Sequence, residues 1–189
     1  MLELAILGFL SEQPMHGYEL RTRISQLTGH VRPVSDGALY PAIKRMEKAE
    51  LLTRQQEQGV SAAPRQVLAL TDAGRAELAR RLRHPDQTDI TDRNRFFAVL
   101  AFLHRLPERA DQAAVLRRRL DFLDQPASFF YRGDKPVRAA EADTIFRRGM
   151  LEMARATKKA ERDWLRSTLA DLEPEPDAVT ETETEAEGP

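Results

Sequence analysis

Ser35-Asp36-Gly37-Ala38-Leu39-Tyr40-Pro41-Ala42-Ile43-Lys44-Arg45-Met46-Glu47-Lys48-Ala49-Glu50-Leu51 is the stretch on which the reading of this chain turns. Ser35 is a good helix cap, because its hydroxyl can accept a free amide of the first turn. Leu39, Ile43 and Met46 recur at i, i+4 and i+7, which marks one buried face of a helix. Lys44, Arg45 and Lys48 fall off that stripe, so a helix docked on its apolar side turns them, together with Tyr40, mostly outward. Pro41 stands early in the helix, where its missing N–H costs less than at mid-helix, and a slight kink is expected.

Beyond Leu52 the pattern changes. Thr53-Arg54-Gln55-Gln56 reads as a strand, Glu57 to Pro64 as a flexible tip, and Arg65-Gln66-Val67-Leu68-Ala69-Leu70 as a second strand. Thr71 caps a further helix, on which Leu78 and Leu82 lie four apart on one side. Upstream, a helix from near Met1 to Ser11 is ended by Gln13-Pro14, and another begins near His16-Gly17 with Leu20, Ile24 and Leu27 at helical spacing before Gly29. This order of three helices, two strands and a helix is that of a winged helix-turn-helix with a two-stranded wing. A helix with a basic outer face suits a DNA major groove.

Four blocks of the chain carry a resemblance to a known family. They are Leu2-Glu3-Leu4-Ala5-Ile6-Leu7-Gly8-Phe9-Leu10, Pro14-Met15-His16-Gly17-Tyr18-Glu19-Leu20, Gly37 to Glu47, and Leu70-Thr71-Asp72-Ala73-Gly74-Arg75. Together they resemble the PadR-type transcriptional regulators, closely over roughly the first 82 residues and in helical layout beyond. The resemblance implies an N-terminal winged helix, C-terminal helices that form a dimer, and often a small, frequently aromatic effector. The chain departs from the family in the wing, where Gly-Arg-Pro-Arg-Lys and two aromatic residues are usual. Here Ala62-Ala63-Pro64-Arg65-Gln66-Val67-Leu68 lacks two of those charges, leaving Arg65 as the wing cation.

Charge agrees with a nucleic-acid partner once it is divided along the chain. The net charge of −1 hides a balance of 12 Lys+Arg against 9 Asp+Glu in residues 1–83, 17 against 14 in residues 84–172, and none against 7 in residues 173–189. That acidic end, with acids at alternate positions from Glu181 to Glu187, is expected to be disordered. There is no cysteine, hence no disulfide or thiolate site, and His16, His30, His84 and His104 are scattered, so no metal or other cofactor is expected. No apolar run reaches membrane-spanning length and no signal-peptide pattern opens the chain, so a cytoplasmic protein is expected.

The expected domains are 1–83, the winged helix-turn-helix; 84–172, an all-α dimerisation domain; and 173–189, the acidic tail. After the capping signal Thr91-Asp92, Phe96 to Leu103 supply eight consecutive apolar residues, more than one helix face, so this helix is expected to be buried on several sides by a dimer. A helix after Pro107 carries Ala113, Leu116, Leu120 and Leu123 and ends at Pro126. The last helix is expected from about Val137 to Leu172, with Phe146, Met150, Met153, Thr157, Ala160 and Trp164 as a coiled-coil-like seam facing a second copy.

The expected DNA-contacting residues are Ser35, Tyr40, Lys44, Arg45, Lys48 and Arg65, with Arg45 first for a base edge and Lys44, Lys48 and Arg65 for phosphates. Lys44, Arg45 and Lys48 have a plainer reading as a solvated helix face, and Tyr40 as a packed ring. His16, Gly17 and Tyr18 are read as structural, a small residue permitting close helix approach and a half-buried ring anchoring the corner. Phe96, Phe97, Met153 and Trp164 could line an effector pocket or simply be core.

The chain is thus expected to be a homodimeric regulator that binds an inverted-repeat operator in double-stranded DNA, a repressor released by a small molecule. The alternative is a winged-helix protein-interaction module without sequence preference. No phosphate-binding glycine loop, nucleophile motif or clustered metal ligands suggest an enzyme.

Overall fold

An aliphatic helix, α1 (Leu2–Glu12), forms the centre of the N-terminal half, with Leu4, Ala5, Ile6, Leu7 and Leu10 all buried. The computed structural model describes residues 1–27, 34–57, 65–126 and 128–173, and for Gln56, Glu57 and Arg65 the backbone alone. The expected turn at Gly29, the wing tip at 58–64 and the acidic tail beyond Glu173 lie outside the described residues. Around α1 stand α2 (Gly17–Leu27), α3 (Asp36–Lys48), the strand β3 (Arg65–Leu70) and α4 (Asp72–Arg83).

The wing pairs β2 (Leu52–Glu57) with β3 in antiparallel register from Leu52 opposite Leu70 to Glu57 opposite Arg65. A third strand, β1 (Met15–His16), joins the other edge of β3, so the sheet runs β1-β3-β2 where a two-stranded wing was expected. Two residues are too few to show an alternating pattern; pairing with β3 makes them a strand. The turn from α3 into β2 places Glu50 in the left-handed region, φ 58°, while Leu51 N donates to Met46 O at 2.9 Å. Thr71 caps α4 as its sequence suggests, accepting from Gly74 N at 3.0 Å and donating its hydroxyl to Glu50 O at 2.7 Å.

The second half comprises α5 (Gln87–Thr91), α6 (Arg93–Phe102), α7 (Arg109–Asp124), a small hairpin of β4 (Tyr131–Arg132) and β5 (Lys135–Pro136), and α8 (Ile145–Leu172). Gly8 joins it to the first half: a Cβ there would lie 2.5 Å from the Phe102 ring, and Phe9 meets Phe102 edge-on with centroids 5.0 Å apart. The apolar run on α6 therefore buries Phe96, Val99 and Phe102 within this chain, without needing a second copy, and leaves Phe97 exposed.

α8 is shorter than expected. It begins at Ile145, where the Thr144 hydroxyl accepts from Arg147 N at 3.2 Å, because Gly133 at φ 60° turns the preceding residues back as a hairpin. Its 28 residues span about 42 Å. Leu165 is fully buried where α8 meets α7, whereas Phe146, Met153 and Trp164 of the expected seam are 82%, 67% and 44% exposed. Among the described residues, no helix is long and apolar enough to cross a membrane.

Candidate nucleic-acid interface

Leu39, Ala42, Ile43 and Met46 anchor α3, and the opposite face presents Tyr40, Pro41, Lys44 and Lys48 to solvent. Among the described residues neither lysine has a carboxylate partner within ion-pair distance. Ser35 stands extended at the head of the helix, but its hydroxyl makes no cap bond; its backbone carbonyl closes the first turn by accepting from Ala38 N and Leu39 N at 3.0 Å each.

Arg45 sits on the flank of α3 beside α1, where Nη2 donates to Glu3 Oε1 at 3.1 Å. Glu3 is shared, since its other oxygen accepts from Arg81 on α4 at 3.1 Å. Burial acts to raise the Glu3 carboxyl, but the hydrogen bonds from Arg45 and Arg81 outweigh it and hold the group below the usual value. Arg81 in turn reaches Glu77, whose carboxyl is held down to about 2 by hydrogen bonds from Arg80 and Arg81. Arg45 is thus one end of an ionic chain joining α3, α1 and α4, while Lys44 and Lys48 are uncommitted.

The other flank of α3 faces the wing. Arg54 on β2 donates through Nε and Nη2 to the two oxygens of Glu47, the second at 3.0 Å, and through Nη1 to Gln66 Oε1 on β3 at 2.7 Å. Tyr40 stands beside them, half-exposed, its ring against Gly17, where an added Cβ would come within 3.3 Å of it. His16 stacks on Tyr18 with centroids 5.6 Å apart, and its Nδ1 lies 3.0 Å from Gln66 O. His16, Tyr18, Tyr40, Arg54 and Gln66 line a cleft of about 470 Å³ between α2, α3 and the sheet. Gly17 permits the expected close approach and the His16 ring is half-buried, whereas Tyr18 lies largely in solvent with one face on His16. The side chain of Arg65 lies outside the described residues. Glu3, Glu47, Arg54 and Gln66 were not singled out from the sequence, although strand alternation puts Arg54 and Gln66 on the sheet face that also carries Leu52 and Leu68.

The four residues considered for an effector pocket are not gathered around one cavity. Phe96 is buried, with the Arg119 guanidinium 4.9 Å from its ring centroid; Phe97 is exposed beneath Arg93; and Trp164 lies on the outside of α8. Met153 lines an open groove of about 1430 Å³ between α7 and α8, with Phe122, Phe129, Met150 and several arginines. At its base Arg119, only 2% exposed, donates to Glu161 at 2.7 Å and to the Thr91 carbonyl at 3.1 Å.

Residues 6–80 match the sequence model of the transcriptional regulator PadR-like family. Over 74 residues the chain is 38% identical to the transcriptional regulator YqjI of Escherichia coli, an overlap of 39% of this chain and 33% of that protein. Over 78 residues it is 34% identical to a 37.1 kDa protein of transposon TN4556 from Streptomyces fradiae, covering 41% and 21% respectively. The matched region therefore spans a third or less of these relatives. The Bacillus subtilis PadR structure in complex with operator DNA aligns over 90% of this chain and 98% of its own, with a TM-score of 0.43 and 20% identity.

Proposed function

We propose, from the match of residues 6–80 to the transcriptional regulator PadR-like family, that this chain is a homodimeric regulator that binds an inverted repeat in double-stranded DNA. The observation that carries the proposal is the outer face of α3, where Lys44 and Lys48 stand uncompensated beside Tyr40 and next to the wing. Two copies of α3 enter successive major grooves roughly 34–36 Å apart on one side of the duplex. Lys44, Lys48 and Arg65 neutralise phosphates, Tyr40 and Ser35 bond to the backbone, and Arg45 contacts DNA by leaving Glu3. In this reading residues 1–83 bind DNA, residues 84–172 dimerise, and residues 173–189 are a solubilising acidic tail. The stripe of Phe146, Met153 and Trp164 along α8 supports the dimer, because so much hydrocarbon is costly to leave in water.

The regulator acts in the cytoplasm, occludes a promoter, and is released when an effector alters the spacing of the two wings. The groove between α7 and α8 offers space for such a molecule, with Met153 in its wall. Selection of genomic fragments on the purified protein, followed by affinity measurements at near-physiological salt, tests the proposal. An enriched inverted repeat bound at least ~10³-fold more tightly than scrambled DNA is expected. Equal, weak binding to both sequences would replace the regulator with a winged-helix protein-interaction module.

A further inference from the structure

We propose that Arg54 is a positioning residue for DNA recognition, and that its fork on Glu47, tied back to Gln66, sets the angle of the wing against the recognition helix α3. The inference rests on the DNA-binding reading above and adds to it the device that holds the two contacting elements in one geometry. β2 is already attached to α3 through the short turn at Ala49–Leu51, where Leu51 N bonds to Met46 O and Leu52 is buried. One attachment at the root of a hairpin leaves rotation about that root. The Arg54–Glu47 fork lies two residues further out on β2 and is held by a side chain of the last turn of α3, next to Met46, so it provides a second point that blocks the rotation. The Arg54–Gln66 bond at 2.7 Å extends the restraint to β3, since Leu68 lies opposite Arg54 and Gln66 opposite Gln56, which puts both side chains on one sheet face.

The chemistry of the pair suits this role. A guanidinium offers parallel N–H donors in one plane, so a bidentate carboxylate fixes direction as well as distance, whereas an ammonium acts as a point charge. Glu47 also neutralises Arg54, which distinguishes it from Lys44 and Lys48 as a source of positive charge for phosphates. A specific complex needs α3 and the wing placed together, while non-specific binding needs only charge. The fork therefore contributes to discrimination between sequences more than to general affinity.

The test uses the full chain with two probes, the duplex it enriches from random-sequence DNA and a scrambled duplex of equal composition. Circular dichroism melts check that R54K and E47Q are folded. Each variant is expected to weaken binding to the enriched duplex on the order of tenfold. R54K should leave scrambled binding and the salt slope unchanged, while E47Q, having lost a negative charge near the DNA, should tighten scrambled binding. Opposite signs on the two probes identify a brace. If Arg54 is instead a phosphate ligand held in check, E47Q tightens both duplexes alike, R54K matches the wild type, and the proposal is overturned. A wild type that binds both duplexes alike overturns the DNA-recognition reading and this assignment with it; a discriminating wild type matched by both variants overturns this assignment alone.

Discussion

The two halves of the molecule distribute charge and hydrocarbon in opposite ways. In residues 1–83 the core is aliphatic, the described arginine side chains lie at or near the surface, and the two largely exposed tyrosines, Tyr18 and Tyr40, keep a polar hydroxyl in water. In residues 84–172 a guanidinium is buried, while Phe97, Phe129, Ile145, Phe146, Met153 and Trp164 face outward. The two halves share a core where Gly8 and Phe9 of α1 meet Phe102 of α6. Beyond it, α8 packs on α7 through its Leu165 side and leaves the stripe of Phe146, Met153 and Trp164 in solvent.

The largest effect should come from the buried charge. Arg119 joins α7 to Glu161 on α8 and to the C-terminal carbonyls of α5, with its face on Phe96 and Phe122. Arg119→Ala leaves Glu161 nearly buried without its partner and should cost about 3–5 kcal/mol in urea unfolding. A loss below about 1 kcal/mol would mean that the C-terminal half is not held together through this residue.

The exposed stripe comes next. Phe146→Ala should weaken self-association by about 2 kcal/mol or more, read by sedimentation across a dilution series, with the melting of the N-terminal half unchanged. An unaltered dimer would place the interface elsewhere and erase the contrast between the two halves.

Within the N-terminal half, the two flanks of α3 can be compared directly. Lys44→Ala should lower the slope of log affinity against log salt by about 0.9 per chain, as expected for one lost phosphate contact. Arg45→Ala should lower it by less, because a guanidinium that leaves Glu3 for a base edge neutralises no phosphate. Equal slopes for the two variants would place Arg45 on a phosphate instead.

The smallest effect concerns acid stability. The Glu77 carboxyl is depressed from 4.5 to about 2 in the folded chain, so its charged form favours folding. That contribution is complete above the unfolded value and disappears as pH falls from about 4.5 towards 2, so stability rises with pH across this window. Glu77→Gln should flatten this part of the stability profile, and a profile unchanged by the substitution would remove the Arg80–Glu77–Arg81 cluster as a source of the acid dependence.

The N-terminal fold was legible because its signals are local. Leu39, Ile43 and Met46 mark the buried side of α3, Thr71 caps α4, and the break in helical spacing on either side of a turn-rich tip marks β2 and β3, each within a window of a dozen residues. The site was only partly legible for the same reason. Helical spacing turns Lys44, Arg45 and Lys48 outward alike, but says nothing about Glu3, more than forty residues away, which separates Arg45 from the other two. Arg54 lay in a recognisable strand, yet its function depends on Glu47 across a turn. In the C-terminal half, the seam that begins at Phe146 falls within α8, but the helix starts eight residues later than Val137, where Thr144 caps it.

By itself the sequence determined the succession α1, α2, α3, β2, β3, α4, the buried faces of the N-terminal helices and the concentration of acid beyond residue 172, since these follow from propensity, periodicity and composition along the chain. Tertiary structure alone decided which cations are free, that Met15-His16 completes the sheet, that Arg119 lies in the core, and that the aromatics of α8 lie outside it. Those outcomes depend on partners brought together across tens of residues, and a side chain's charge, burial or availability is a property of its neighbours in space.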